Sequence, residues 1–180
     1  MNARPSTRTH TITLAAGMAA AVFIGTFLVR VPIPATNGYV NLGDPFIVLS
    51  GLLFGPMVGA VAGGFGSAVA DLIGFPVFAL PSLLVKGAAG FVVGVIGHNR
   101  TGGRVVLAAV AGEAVVVIGY FAIEAFVFRA SMGMPAALTE LPFNLVQAGA
   151  GATLGLTAWF ALRRKPAGAE MTPRDGDGHE

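Results

Sequence analysis

The sequence predicts an all-α membrane protein, folded as a compact bundle of six transmembrane helices with both termini cytoplasmic. Of the 180 residues, 54% are hydrophobic and only 11% are charged, whereas a soluble domain carries about 25% charged residues. The apolar residues also form long uncharged segments, and most basic residues lie in the connections on one side of them. Too few charges remain to cover a surface in contact with water, so the chain is predicted to be integral to a membrane.

The residue types that are missing exclude other classes of protein. The chain has no cysteine, so it has neither a disulfide framework nor a thiolate metal site. A net charge of +2 without a long basic patch argues against nucleic acid as a partner. No G-x-x-x-x-G-K-[ST] phosphate loop occurs, so the chain does not hydrolyse ATP by that route. The three histidines, His10, His98 and His179, are widely separated along the chain. We therefore expect that the chain is not an enzyme and that it has no metal site and no cofactor.

Length and helix breakers define the six predicted segments. Residues 11–29 are uncharged and would form a helix of about 28 Å, which suits a bilayer core of roughly 30 Å. Residues 45–73 would span about 43 Å as one helix, which is too long. Gly55-Pro56 lies inside this run and breaks helices readily, so we predict two helices, the first unusually short. Three further segments complete the bundle: 82–97, 105–128 and 141–162.

The distribution of basic residues predicts the orientation. With both termini cytoplasmic, two arginines, Arg30 and Arg129, lie outside. A five-helix alternative satisfies the positive-inside rule almost as well, and the length of residues 45–73 favours six helices. The predicted domains are a cytoplasmic segment at 1–10, a membrane domain at 11–163 and a disordered cytoplasmic tail at 164–180. The six-helix arrangement places eight basic residues inside: Arg4, Arg8, Arg100, Arg104, Arg163, Arg164, Lys165 and Arg174.

Asp44 stands directly before Pro45, at the start of the second predicted helix. Asp is among the best N-cap residues, and Pro is favoured in the first turn of a helix. We therefore interpret Asp44 as a cap that satisfies backbone amides where the chain enters the lipid. A direct contact with a substrate is the alternative.

Four polar side chains on three predicted helices lie at similar depth near the outer surface: Lys86, Glu124, Asn144 and Gln147. A polar group inside a membrane is costly unless it is paired. A polar pocket open to the outside would keep all four hydrated or paired. For Lys86 two interpretations remain, an ion pair with Asp71 at the end of the third helix or a contact with a polar ligand.

Glu113 lies deeper, near the middle of the fifth predicted helix. It shares one helical face with Tyr120 and Glu124, which indicates that this face points into the bundle. We expect a neutral carboxyl group that forms a hydrogen bond between helices, with coupling to proton movement as the alternative.

Small residues recur at helical spacing in two places. Gly51, Gly55, Gly59 and Gly63 follow every fourth residue, a pattern that lets helix backbones approach closely in lipid. Helix 1 carries its own stripe at the same spacing. We interpret the glycines as packing residues and the stripe as a face that could dock on another membrane protein: Ala15, Ala16, Ala19 and Ala20.

These segments together resemble a known family. "VNLGDPFIVLSGLLFGPMVGAVAGGFGSAVADLIG", "PSLLVKGAAGFVVGVIG" and "ELPFNLVQAGAG" are similar to the substrate-binding S component of energy-coupling-factor (ECF) vitamin transporters, over about residues 11–162. The resemblance implies a six-helix bundle whose alanine stripe docks on a membrane T component driven by two ABC-type ATPases. It also implies a vitamin pocket built from the first loop, including Asn41, and from the outer ends of helices 4 to 6.

The resemblance is greatest to members linked with pyrimidine or pyridine vitamins, which implies a hydroxymethylpyrimidine-type thiamine precursor or a pyridoxine-like ligand. Folate and riboflavin remain alternatives. Two other functions stay open at this point. One is a self-sufficient secondary transporter that uses Glu113 or Glu124 as a proton site, and the other is a membrane assembly protein that binds no solute.

Overall fold

The computed structural model describes residues 7–33, 36 and 38–163, with the backbone alone for Thr7. The described part contains six α-helices, which confirms the predicted class. The predicted tail at 164–180 and residues 1–6 of the predicted N-terminal segment lie outside it. The elements are α1 (Thr7–Leu28), β1 (Arg30–Pro32), β2 (Tyr39–Asn41), α2 (Asp44–Phe54), α3 (Pro56–Gly74), a 3-10 turn (Pro76–Phe78), α4 (Ala79–Gly97), α5 (Gly103–Ala122), a π-helical turn (Ile123–Val127) and α6 (Gly133–Arg163).

Five of the described helices are long and apolar enough to cross a membrane. The exception is α2, which has 11 residues and would span only about 17 Å. This agrees with the unusually short second helix that the sequence predicts. Helix α2 packs against α3, α4 and α6.

The break between α2 and α3 occurs at the predicted dipeptide. Helix α2 ends at Phe54, and Pro56 is the first residue of α3. Gly55 joins them with a φ of +89°, a backbone conformation that costs little for glycine and is strained for other residues. Proline suits the first helical position because its missing N–H would have no partner there.

The predicted glycine row brings α3 against α4. A Cβ atom at Gly59 would collide with the carbonyl oxygen of Gly90, and one at Gly63 would collide with that of Lys86. The two backbones therefore approach more closely than any larger residue allows, as expected for helices that pack in lipid. This packing fixes the height and rotation of α4, which carries Lys86.

The connection between α1 and α2, predicted only as the first loop, contains a two-stranded antiparallel hairpin. Arg30 pairs with Asn41 and Val31 with Val40. The hairpin lies at the end of the bundle where α2 and α4 begin and α3 and α5 finish, which we call the hairpin end. The chain reverses at the opposite end through Gly55 and through residues 98–102.

Helix α6 is longer than predicted. It begins at Gly133 rather than at residue 141, and it contains Pro142 within its length. The extra turns place Glu140 on a helix instead of in a loop. An apolar core holds the opposite half of the bundle together; it comprises Val48, Leu52, Val93, Val105, Ala108, Ala109 and Trp159.

Candidate ligand-binding cleft

A cleft opens at the hairpin end between the hairpin, α4, α5 and α6. The space that it encloses, including the part open to solvent, is about 340 Å³. All five residues predicted to bind substrate line it, namely Asn41, Lys86, Glu124, Asn144 and Gln147. Six further residues line the cleft and were not predicted as ligand contacts: Gly38, Tyr39, Phe78, Ser82, Tyr120 and Glu140.

Lys86 lies at the floor of the cleft in a buried ion pair. Its Nζ atom is 2.8 Å from Oδ1 of Asp44, and the two side chains are 2% and 1% exposed. The same Nζ donates to Oδ1 of Asn41 at 3.2 Å. A buried charge is tolerated only when it is paired and hydrogen-bonded. Lys86 meets both conditions without a ligand.

Gln147 connects this ion pair to the hairpin. Its Nε2 atom donates to Oδ2 of Asp44 at 2.6 Å, and its Oε1 atom accepts from the backbone N–H of Asn41 at 2.7 Å. The side chain of Asn41 in turn accepts from the backbone N–H of Gly43 at 3.0 Å. Helices α2, α4 and α6 and the hairpin are therefore joined by one polar network.

These contacts correct the cap prediction for Asp44 and one of the two interpretations of Lys86. Asp44 does not cap α2, since Gly43 occupies the N-cap position and no side-chain capping bond is formed there. The partner of Lys86 is Asp44 and not Asp71. The reason is that the N-terminus of α2 is buried beside α4, so the carboxylate of Asp44 faces an ammonium group that needs a counter-charge.

Asp71 instead accepts hydrogen bonds from two hydroxyl groups. Tyr39 of the hairpin donates to Oδ1, and Ser82 of α4 donates to Oδ2. The hydroxyls of Ser82 and Tyr120 are also hydrogen-bonded to each other. Burial raises the pKa of the Tyr39 hydroxyl, which keeps it in the neutral form that can donate. A second network thus links the hairpin to α3, α4 and α5.

Two carboxyl groups meet on the remaining wall of the cleft. Glu124, in the π-helical turn, and Glu140, on α6, are 1% and 3% exposed, and their side chains are within hydrogen-bonding reach of each other. The Oε2 atom of Glu124 and the Oε1 atom of Glu140 have no hydrogen-bond partner in the part of the chain that the structure describes. Asn144, one turn after Glu140, makes no hydrogen bond to another described residue through its side chain. These three residues present free polar groups to the cleft.

Glu113 is buried, as predicted from the face that it shares with Glu124. The predicted hydrogen bond between helices is not formed in the part of the chain that the structure describes, where its Oε2 atom has no partner. Its carboxyl group lies next to Gly151 of α6, against which Asp44 also packs. Glu113 does not line the cleft. It lies instead at the base of an apolar groove between α5 and α6.

The alanine stripe of α1 is only partly exposed. Ala16 and Ala20 are exposed, Ala19 is half-buried, and Ala15 is 8% exposed. Ala20 and Ala19 border a shallow groove between α1 and α3 with Phe23 and Phe65. The burial of Ala15 removes it from any surface that a partner could contact, so the exposed pair is Ala16 and Ala20.

Two of the lining residues that the prediction missed share a simple signal. Ser82 precedes Lys86 by four positions, and Glu140 precedes Asn144 by four. Residues at this spacing lie on one face of a helix, so extending each predicted face by one turn towards the hairpin end would have found both. Among the described residues no group of three or more His, Cys, Asp or Glu side chains could hold a metal ion.

Comparison with known proteins identifies the family that this chain matches. Residues 6–164 match the model of the family described as ECF-type riboflavin transporter, S component. An uncharacterized protein from Pyrococcus woesei is 42% identical over 146 residues, which cover 81% of this chain and 96% of that protein. A UPF0397 protein from Streptococcus gordonii is 34% identical over 83 residues, which cover 46% of this chain and 45% of that protein.

Proposed function

Because the chain belongs to the family of ECF-type riboflavin transporter S components, we propose that its cleft captures a small B-vitamin or vitamin precursor with high affinity. In this proposal the chain is the binding subunit of an ECF-type ABC importer. The observation that carries the proposal is the cleft itself, in which Glu124, Glu140 and Asn144 present polar atoms that no described residue satisfies. A bound ligand would supply their partners.

Membership of the family establishes the general setting. The chain is a multi-pass protein of the prokaryotic plasma membrane, and S components are vitamin-binding transporter subunits that associate with a T component and ATPases. The five helices that are long and apolar enough to cross a membrane agree with this location.

The proposed orientation places the cleft outside and both termini in the cytoplasm. Arg100 and Arg104 flank the turn between α4 and α5 at the opposite end of the bundle, and Arg163 ends α6 there. Basic residues of this kind favour the cytoplasmic side. A solute arriving from outside would then meet the hairpin end first.

The proposed ligand is a hydroxymethylpyrimidine-type thiamine precursor or a pyridoxine-like molecule. Phe78 and Tyr120, whose ring centroids are 6.3 Å apart, offer aromatic surface beside the free polar groups. Riboflavin, which the family description names, is the alternative and requires space for three fused rings.

The proposed partner surface is the exposed face of α1 around Ala16 and Ala20. Small residues at this spacing let another helix approach closely, where packing and not burial of apolar surface drives association in lipid. We propose that the T component docks there, and that two ABC-type ATPases bound to it drive release of the vitamin into the cell.

Mass spectrometry of small molecules released from the purified protein tests the function. We expect a pyrimidine or pyridine vitamin, and we expect the same compound to raise the melting temperature of ligand-free protein. Asn144→Ala should remove most of that increase, whereas Thr153→Ala, on the exposed side of α6, should keep it. Release of riboflavin would replace the proposed ligand. If no vitamin is released and none stabilises the protein, the proposed capture function is wrong.

A further inference from the structure

The pair of carboxyl groups formed by Glu124 and Glu140 is distinctive because both are buried beside open space. Each side chain is at most 3% exposed, and both line the cleft. The carboxyl group of Glu140 also lies directly against Gly38, where a Cβ atom would collide with it. The hairpin thus closes over one side of the pair and leaves the cleft as the open side.

The described part of the chain provides no cation for this pair. Lys86, the buried cation of the cleft, is already held by Asp44. Two carboxylates in contact repel each other unless a proton or a positively charged group lies between them. Even with one shared proton, the free Oε2 of Glu124 and the free Oε1 of Glu140 remain without donors.

The backbone that carries Glu124 is itself unusual. Residues Ile123–Val127 form a π-helical turn, in which the N–H of Phe128 donates to the carbonyl of Ile123 at 2.8 Å. Such turns are rare and occur frequently at functional sites. Here the turn lies where α5 reaches the cleft, and it carries the carboxyl group of Glu124 to the cleft wall.

We infer that Glu124 and Glu140 form a subsite for the amino-substituted edge of a nitrogen heterocycle, as in an aminopyrimidine. This inference rests on the proposed function and narrows its ligand class. The exocyclic amino group supplies two N–H donors to the free carboxyl oxygens, and the shared proton can be donated to the adjacent ring nitrogen. A ring with a carbonyl oxygen at the same position would place one acceptor against another, and burial makes that mismatch costly.

Two matched probes test the subsite with the full chain in lipid nanodiscs. The first is the hydroxymethyl aminopyrimidine, and the second is its oxo counterpart, in which a carbonyl replaces the amino group. We expect wild-type protein to bind the amino probe at least tenfold more tightly by titration calorimetry. This comparison requires no variant, so a folding defect cannot obscure it.

Substitutions then locate the preference. Glu124→Gln and Glu140→Gln should each reduce the ratio of the two affinities to near one, because a primary amide can donate to the oxo probe and accept fewer bonds from the amino probe. Glu113→Gln, a buried carboxyl on the same helix but outside the cleft, should keep the wild-type ratio. If the pair has only a structural role, the substitutions should weaken binding of both probes equally and leave the ratio of the two affinities unchanged.

The outcomes separate this inference from the function on which it rests. Equal affinity of the wild-type protein for both probes, or an unchanged ratio in both glutamine variants, overturns the subsite. Binding of riboflavin or pyridoxine without binding of either probe overturns the subsite and leaves vitamin capture intact. If neither the probes nor any vitamin binds, both proposals are wrong.

Discussion

The ion pair between Lys86 and Asp44 allows a sharp energetic test of the structure. Replacing Lys86 with Met would leave the carboxylate of Asp44 buried, 1% exposed, with Gln147 as its remaining donor. Breaking a buried pair by removing one partner typically destabilises a protein by about 3–5 kcal/mol. Asp44→Asn should destabilise by a similar amount, since the neutral amide leaves the Lys86 ammonium group without a counter-charge.

The double variant tests whether the two side chains interact or whether each substitution lowers the free energy of unfolding independently. If Lys86 and Asp44 stabilise each other, Lys86→Met/Asp44→Asn should be close to one single variant in stability, which corresponds to a coupling energy of about 3–5 kcal/mol, the cost of one single substitution. The matched cycle uses Asp71→Asn in place of Asp44→Asn. Asp71 bonds to Tyr39 and Ser82, so its coupling to Lys86 should stay below about 1 kcal/mol.

Reversible unfolding in mixed micelles, followed by tryptophan fluorescence or circular dichroism, measures these free energies. Asp44→Asn is the most informative single variant, because Asn caps a helix as well as Asp. Normal stability in Asp44→Asn would support the cap interpretation and contradict the ion pair. The ion pair would be refuted if the losses of unfolding free energy from the Lys86 and Asp44 substitutions are additive while Lys86 is strongly coupled to Asp71.

Three further predictions follow from the same contacts. Asn144→Ala should weaken binding of the captured vitamin at least tenfold by calorimetry, and unchanged affinity would place the ligand elsewhere. Ala16→Trp/Ala20→Trp should abolish co-purification with the T component while ligand binding persists; normal co-purification would exclude this docking face. Gly59→Ala should lower stability by about 1–3 kcal/mol because its Cβ meets α4. Gly149→Ala, with open space around it, is the matched control and should be neutral or stabilising.

The sequence was sufficient for the parts of the fold that length and spacing determine. Helix number followed from the size of a bilayer and from Gly55-Pro56, and the close packing of α3 on α4 followed from the glycine row. The depth of each polar residue followed from the rise per residue along its helix. All five predicted ligand contacts therefore line one cleft, although their role in binding stays a prediction.

The depth of a residue along its helix does not specify the rotation of that helix, and this explains the error about the partner of Lys86. Asp44 and Asp71 both lie at the hairpin end, and only the rotation of α2 and α3 about their axes decides which carboxylate faces Lys86. Glu140 was missed for a different reason, because α6 starts eight residues earlier than the segment predicted from residue 141. The helix continues through Pro142, although proline inside a helix removes a hydrogen bond.

The hairpin connects the two polar networks and the carboxyl pair, and this determines how the cleft can work. Asn41 bonds to Lys86 and Gln147, Tyr39 bonds to Asp71, and Gly38 packs on Glu140. Each contact joins the hairpin to a different helix or pair of helices. A ligand that satisfies Glu140 and Asn144 would therefore act on the same wall that holds the hairpin in place. Because the cleft and the hairpin that borders it share these residues, we expect binding in the cleft to affect the position of the hairpin.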